Sequence, residues 1–269
     1  MRYLQNLHTH TTYCDGRDTP EQMVLAAIEQ GFHSIGFSEH ATSPSPMTPN
    51  EEQLTAYRRE VRALAEKYAG RIEIFCGLEF DAESNAPLAD YDYVIGSSHY
   101  VHKGGDRFPA DGSVEQVRAA IDGPFAGDGL SFAVQYFEEL CALADGPRVD
   151  VLGHFDLVSK NCERADLFDV NDPSYVKAGL AAIDALAGKI PYFEVNTGAI
   201  SRGYRTTPYP APVFLRALRE KGFGAVISSD CHDARTLLCG FADAAELLRS
   251  CGFCEYYVLK KGGFEAVSL

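Results

Sequence analysis

Short apolar and β-branched runs alternate along the chain with longer stretches whose apolar positions recur at helical spacing. The first run, Leu4–Leu7, precedes a helix with a clear start: Thr19 as N-cap, Pro20 at the first helical position and Gln22 closing a capping box. That helix is predicted to reach about Gln30, where Gly31 ends it in the left-handed conformation. A strand over Ser34–Ser38 follows, then a Pro-rich loop from Thr42 to Pro49. A helix from about Glu51 to Ala69, stopped by Gly70, leads to strands at Ile72–Gly77 and Tyr93–Ser97. The stretch from Tyr100 to about Ser113, polar and aromatic around Gly104-Gly105, reads as a loop suited to a lid. Helices near Val114–Ile121 and Leu130–Asp145 come next, then strand Val149–Gly153, helix Ser174–Ala187 and strand Tyr192–Val195. Helix Ala211–Lys221, strand Gly224–Ser228, helix Arg235–Arg249 and strand Glu255–Leu259 complete the pattern.

Strands separated by helices of 10–20 residues imply a parallel sheet with crossover helices. Where the polar residues fall decides between an open and a closed sheet. Seven runs end on a potential ligand or polar group: His8 and His10, His40, Glu79, His99, His154, Asn196, and Asp230 with His232. A barrel brings such ends to one mouth, where active sites are built. An open doubly wound sheet would instead carry a glycine-rich phosphate loop at its switch point, and the sequence has none. The expectation is an α/β fold with a barrel of about seven strands. No linker, repeat or low-complexity tract divides residues 1–269, so a single domain is expected.

With 269 residues, 46% of them hydrophobic and 23% charged, the chain can bury a sizeable core. A formal charge of −14 argues against a phosphate-backbone binder, which needs a basic face. No apolar run approaches the roughly 18 residues of a membrane span, and the first residues have no apolar signal-peptide core. Neither nucleic acid nor membrane is an expected partner. The eight scattered cysteines, including the lone Cys251-Gly252-Phe253-Cys254, read as ordinary thiols of a cytoplasmic protein.

The chemistry lies in the histidines. Six of the eight sit at strand ends, joined there by Glu79 and Asp230, with Asp15 just after the first strand. In His8-Thr9-His10 the imidazoles at i and i+2 point to one side of a strand, and Asp230-Cys231-His232 repeats that spacing. Nitrogen and oxygen ligands without thiolate suit zinc, manganese or iron. Nine ligands exceed the needs of one ion and fit two or three, with Glu79 as a bridge. His33 opens a strand at the opposite end and reads as structural; His102 also lies outside the pattern.

The motifs His8-Thr9-His10 with Asp15, Ser38-Glu39-His40, Gly77-Leu78-Glu79, Ser97-Ser98-His99, Gly153-His154 and Ser229-Asp230-Cys231-His232 occur in this order. In this combination the chain resembles the polymerase-and-histidinol-phosphatase (PHP) family, over about residues 8–232, and within it the stand-alone histidinol-phosphatases. The resemblance implies a distorted seven-stranded β/α barrel, (β/α)7, with a centre of three divalent metal ions (Zn, Mn or Fe). By motif, it implies that His8, His10, Glu79 and Asp230 hold one ion, Glu79, His99 and His154 a second, and Asp15, His40 and His232 a third. Glu79, Asp230 and His232 are the residues it makes catalytic. The stretches Ser97–Phe108 and Glu194–Pro210 also resemble that branch, although the second departs from the common form, leaving open whether Arg202 or Arg205 replaces the usual arginine.

Three divalent ions would outweigh the charges of Asp15, Glu79 and Asp230, making the mouth locally positive and attractive to a phosphate monoester. Lys160, Asn196, Ser201, Arg202 and Arg205 are the candidate substrate-binding residues, the cations through charge-assisted contacts to phosphate. Hydrolysis of L-histidinol phosphate is the activity the resemblance implies. The competing readings are a PHP-type phosphoesterase for a nucleotide, sugar phosphate or phosphotyrosine, a deaminase of the amidohydrolase type, and a metal module without activity. Asp15, Glu79 and Gly153-His154 point to more ions than a deaminase needs, and all nine ligand positions are filled, which disfavours the inactive module.

Overall fold

The computed structural model describes residues 3–41 and 48–269. Most of the predicted Pro-rich loop therefore lies outside the described residues. In chain order the elements begin with β1 (Gln5–Asn6), α1 (Pro20–Glu29), β2 (Ser34–His40), α2 (Glu51–Lys67), β3 (Glu73–Asp81) and β4 (Tyr93–Ser97). A hairpin, β5 (Tyr100–Lys103) and β6 (Asp106–Pro109), precedes α3 (Val114–Asp122), α4 (Gly129–Leu140), β7 (Val151–Leu152) and α5 (Pro173–Leu186). Then follow β8 (Tyr192–Asn196), the short α6 (Gly198–Ser201), α7 (Pro212–Glu220), β9 (Gly224–Ser228), α8 (Phe241–Ser250), β10 (Glu255–Lys260) and β11 (Gly263–Ser268).

Seven strands form one parallel sheet in the order β1-β2-β3-β4-β7-β8-β9. A parallel bridge between Thr9 and Cys231, with His10 N donating to Cys231 O at 2.9 Å, joins its first and last strands. The expected seven-stranded barrel is thus present. Reciprocal capping boxes start three of its helices: Thr19 with Gln22, Asn50 with Gln53, and Ser113 with Gln116.

Alternation along the strands sorts side chains into two compartments. On β3, Ile74, Cys76, Leu78 and Phe80 face the helices in the outer core, while Phe75 joins Leu7, Tyr93, Ile95, Val151, Val226 and Leu259 inside the barrel. Tyr93 fills the barrel above this floor, its hydroxyl bonded to Leu7 O and lying 3.0 Å from Phe37 O. Gly36 and Gly77 make its position possible, because a Cβ at either would collide with the Tyr93 ring. Two residues beyond Gly77 on the same inward face comes Glu79, so an apolar floor gives way to a polar upper chamber within one strand.

Several elements differ from the sequence reading. The stretch Tyr100–Ser113 is largely an antiparallel hairpin closed by Gly104-Gly105, both with positive φ (63° and 92°), as such two-residue turns require. Strand β10 stays outside the parallel sheet and pairs antiparallel with β11, which was not foreseen. The pair closes the floor of the barrel: Gln5 Nε2 donates to Leu259 O at 2.8 Å, and Leu259 N to Gln5 Oε1 at 2.7 Å. The first and seventh strands are shorter than predicted, with two residues each. All eight cysteines are free thiols, and among the described residues no helix is long and apolar enough to cross a membrane.

Candidate metal centre and active site

The nine candidate ligands reach the same mouth from the C-terminal ends of six strands. His8, His10 and Asp15 follow β1, and His40 ends β2 directly opposite Glu79 on β3. His99 follows β4, His154 follows β7, and Asp230 and His232 follow β9. Asp230 is the only member with a left-handed backbone (φ 46°), a conformation Asp tolerates better than most residues and one found at functional sites.

Glu79, 1% exposed, stands at the centre. Its Oε1 lies 3.0 Å from His154 Nε2 and 3.4 Å from His99 Nε2, and also accepts the Ser97 hydroxyl at 2.7 Å. Its Oε2 lies 2.9 Å from His40 Nδ1, 3.4 Å from His8 Nε2 and 3.5 Å from His10 Nε2. Asp230 Oδ1 is 3.4 Å from His10 Nε2 and 3.7 Å from His8 Nε2. At the rim, Asp15 sits 3.6 Å from His40 Nε2 and 3.2 Å from His232 Nε2. Four sets of ligand atoms lie mutually within 4.8 Å: His8, His10 and Asp230; His8, Glu79 and His154; His40, Glu79 and His99; and His10, Cys14, Asp15 and His40.

This donor set fits divalent cations. His8 Nε2, His10 Nε2 and Glu79 Oε2 are buried and have no hydrogen-bond partner. Buried lone pairs facing one another without a donor are costly, and a cation among them removes that cost. Without one, the site leans on its own opposite charges. Against burial, which disfavours charge, His8, His99 and His40 hold the Glu79 carboxyl well below its ordinary range. Burial likewise opposes charge on His40, yet Glu79 and Asp15 raise its pKa to about 10. His10 goes the other way, to about 3, through burial and the neighbouring His232 and His40.

A second set of residues holds these imidazoles in place. Glu194, on the inward face of β8, lies 2.9 Å from His8 Nδ1, accepts His154 N at 2.7 Å and is bonded by the Ser228 hydroxyl. Asp81 grips His99 at both Nδ1 (2.8 Å) and backbone N (3.2 Å). Cys14 Sγ is 3.4 Å from His10 Nδ1 and donates to the buried Glu39 at 2.7 Å. Such partners fix ring orientation and basicity. Glu194, Asp81, Glu39 and Cys14 were missed in the sequence; the i, i+2 relation of Asp81 to Glu79 was the available signal.

The mouth opens into a cavity of about 320 Å³, lined beyond the ligands by Ala41, Thr48, Asp81, Tyr100, Asp111, Leu157, Lys160, Arg202 and Tyr204. Arg202 reaches Asp230 from the rim, Nη2 to Oδ2 at 3.0 Å and Nη1 to the Asp230 carbonyl at 2.8 Å. Lys160 also lines the cavity, 4.5 Å from the Tyr204 ring centre. Three sequence candidates point elsewhere, because local partners claim them. The fully buried Asn196 donates to Glu194 Oε1 and accepts Gly198 N, both at 2.8 Å. The Ser201 hydroxyl donates to Gly198 O at 2.9 Å, and Arg205 is bonded to Ser159 and lies over the Tyr209 ring. None of the three lines the cavity. His33 accepts the Leu4 amide at 3.1 Å and stacks on Tyr3, at the other end of the barrel.

Residues 6–198 match the family described as "PHP domain". A "Probable histidinol-phosphatase" of Deinococcus radiodurans is 30% identical, over 94% of this chain and 95% of its own. A "Histidinol-phosphatase" of Bacillus subtilis (strain 168) is 26% identical, over 90% of this chain and 97% of its own. Among solved structures, histidinol phosphate phosphatase from Lactococcus lactis subsp. lactis Il1403, complexed with zinc, L-histidinol and phosphate, shares the fold. The TM-score is 0.72, covering 97% of this chain and 98% of that one at 19% identity. By its motifs, its barrel and this match across most of its length, the chain belongs to the PHP domain family.

Proposed function

We propose that this chain hydrolyses L-histidinol phosphate to L-histidinol and phosphate, using three divalent ions held at the barrel mouth. The observation that carries the reading is the convergence of His8, His10, Asp15, His40, His99, His154, Asp230 and His232 around Glu79 at the foot of an open cavity. The substrate follows from the names of the relatives, which match over nearly their whole lengths.

When bound, divalent ions supply Lewis-acid neutralisation of the phosphoryl oxygens and a water nucleophile active at neutral pH. His8, His10 and Asp230 would hold one, His99 and His154 a second, and Asp15, His40 and His232 the third, with Glu79 shared by the first two. The chain's own contribution is placement and charge. Glu79 keeps its two oxygens aimed at imidazoles on opposite sides. Glu194 and Asp81 fix the rings of His8 and His99, so the site is set before substrate arrives. Lys160 and Arg202, both lining the cavity, are the cations that meet the phosphate oxygens. Tyr100, Tyr204 and Leu157 give the remaining wall an apolar character suited to an imidazole-bearing ester.

The test is phosphate release from a panel of L-histidinol phosphate, a nucleotide, a sugar phosphate, phosphotyrosine and an aryl phosphate, with metal content measured on the same preparation. L-Histidinol phosphate should give the highest kcat/KM, and Glu79→Gln should lower kcat more than about a hundredfold with loss of bound metal. Another monoester leading the panel by tenfold would replace the substrate assignment. A fully active, fully loaded Glu79→Gln protein would refute the shared-carboxylate role.

A further inference from the structure

L-Histidinol phosphate differs from a plain phosphate monoester by an ammonium group on the carbon next to the ester CH2. Resting on the reading above, a site specific for it needs an anionic or carbonyl acceptor beside the phosphate position. Four of the five carboxylates lining the cavity are committed. Asp15, Glu79 and Asp230 belong to the ligand cluster, and Asp81 uses one oxygen on His99 and the other on Glu83 N at 3.0 Å. The fifth is Asp111, at the foot of the β5–β6 hairpin.

Asp111 has a different character. Its side chain is about one-third exposed (35%), and its carboxylate has one partner among the described residues, Lys160 Nζ at 3.4 Å. A carboxylate accepts about four hydrogen bonds, so most of this capacity faces the cavity. Its backbone carbonyl accepts the same Nζ at 2.6 Å, and that nitrogen lies 4.5 Å from the Tyr204 ring centre. Carboxylate, carbonyl and aromatic face together already cradle one primary ammonium, the chain's own. The cradle borders the ligand cluster. Although desolvation opposes charge on Asp111, Lys160 and then His99 and His154 hold its carboxyl below the ordinary range, leaving it ionised at neutral pH.

We propose that Asp111 reads the amino group of the substrate: its free carboxylate oxygen accepts the ammonium of an amino-alcohol phosphate, making it a specificity-determining residue of this centre. An ester without the amine leaves that carboxylate unpaired, and an enzyme site discriminates most sharply when a missing group leaves a built-in partner unsatisfied. The alternative is that Asp111 serves only to anchor Lys160, and that role would affect all phosphate esters alike.

The experiment compares kcat/KM for L-histidinol phosphate and for 3-(imidazol-4-yl)propyl phosphate, its analogue without the amine, using the metal-loaded full chain. The wild-type protein should favour the amine-bearing ester. In the near-isosteric Asp111→Asn that preference should shrink at least tenfold. Lys160→Met, which breaks the same pairing from the other side, should weaken both esters and keep the preference. Equal losses on both esters in Asp111→Asn, or a preserved preference, would overturn the proposal while leaving the histidinol phosphate reading intact. A wild-type protein that turns over both esters equally would overturn the proposal alone, and one that turns over neither would overturn the two together.

Discussion

At the scale of single residues, the centre is built from like and unlike charges placed so close that none can be changed alone. Metal ligation requires neutral imidazoles, yet Glu79 and Asp15 hold the His40 pKa at about 10 against the cost of burying it, and Glu194 and Glu79 raise that of His8. At pH 7.5 the His40 ring carries a proton in the metal-free protein, whereas His10, at about 3, is already neutral. Loading with zinc should therefore expel at least one proton, and affinity should rise with pH until His40 has titrated. Calorimetric titrations in buffers of different ionisation enthalpy will show it as a buffer-dependent heat; a buffer-independent heat would contradict it. The same shift stabilises the metal-free fold. Because the folded pKa lies above the ordinary 6.5, His40 contributes fully below that pH, and its contribution is lost as pH rises through about 10.

At the scale of elements, the β5–β6 hairpin is the part most involved in the substrate side of the cavity. It carries Tyr100 and leads to Asp111, and it is held by His102, which lies 2.8 Å from Glu83 on one side and 2.8 Å from Glu139 of α4 on the other. Half-exposed ionic contacts of this kind contribute about 1 kcal/mol. His102→Ala should therefore raise KM for L-histidinol phosphate about fivefold with little change in kcat, and steady-state kinetics will decide; a fall in kcat with KM unchanged would place the hairpin elsewhere in the cycle. The hairpin also shows where the sequence stopped being legible. Gly104-Gly105 was visible as a turn, but the flanking Tyr100–Lys103 and Asp106–Pro109 are only four residues each and too polar to announce strands. β11 was hidden for the same reason, since its exposed residues lack alternation. The cluster of candidate ligands was legible because each member needs only a strand end and a donor side chain. Glu194 was not: inside β8 it is one polar residue in a buried run, and only the closed barrel aims it at His8. That Asn196, Ser201 and Arg205 turn away from the cavity was hidden for the converse reason, because no spacing rule reveals the short-range partners that take them.

At the scale of the whole molecule, the candidate ligands are drawn from residue 8 to residue 232, so ions held among them would tie together six of the seven strands of the parallel sheet. A ligand that binds only the folded state stabilises it by mass action, about 4 kcal/mol at a thousand times its Kd. For a chain of this size, chelation should lower the thermal midpoint by about 8 °C or more, and zinc or manganese should restore it. Identical melting curves with and without chelator would mean that the ions do not hold the barrel together. With the whole chain at a net charge of −14, this local concentration of imidazoles, together with the ions it would hold, is the place where a phosphate ester meets attraction rather than repulsion.

The seam between Thr9 and Cys231, and the lock of Gln5 onto Leu259, have a consequence for how the protein comes into being. Translation delivers His8 and His10 well before their closing partners, which appear only after some 220 more residues have been added. Until then the strand that bears them has one neighbour instead of two, and its barrel has no floor. The nascent chain cannot assemble its full set of donors early and cannot trap a stray cation in the finished geometry. Selection of any metal at this mouth is thereby deferred until the strands that close the ring have been made.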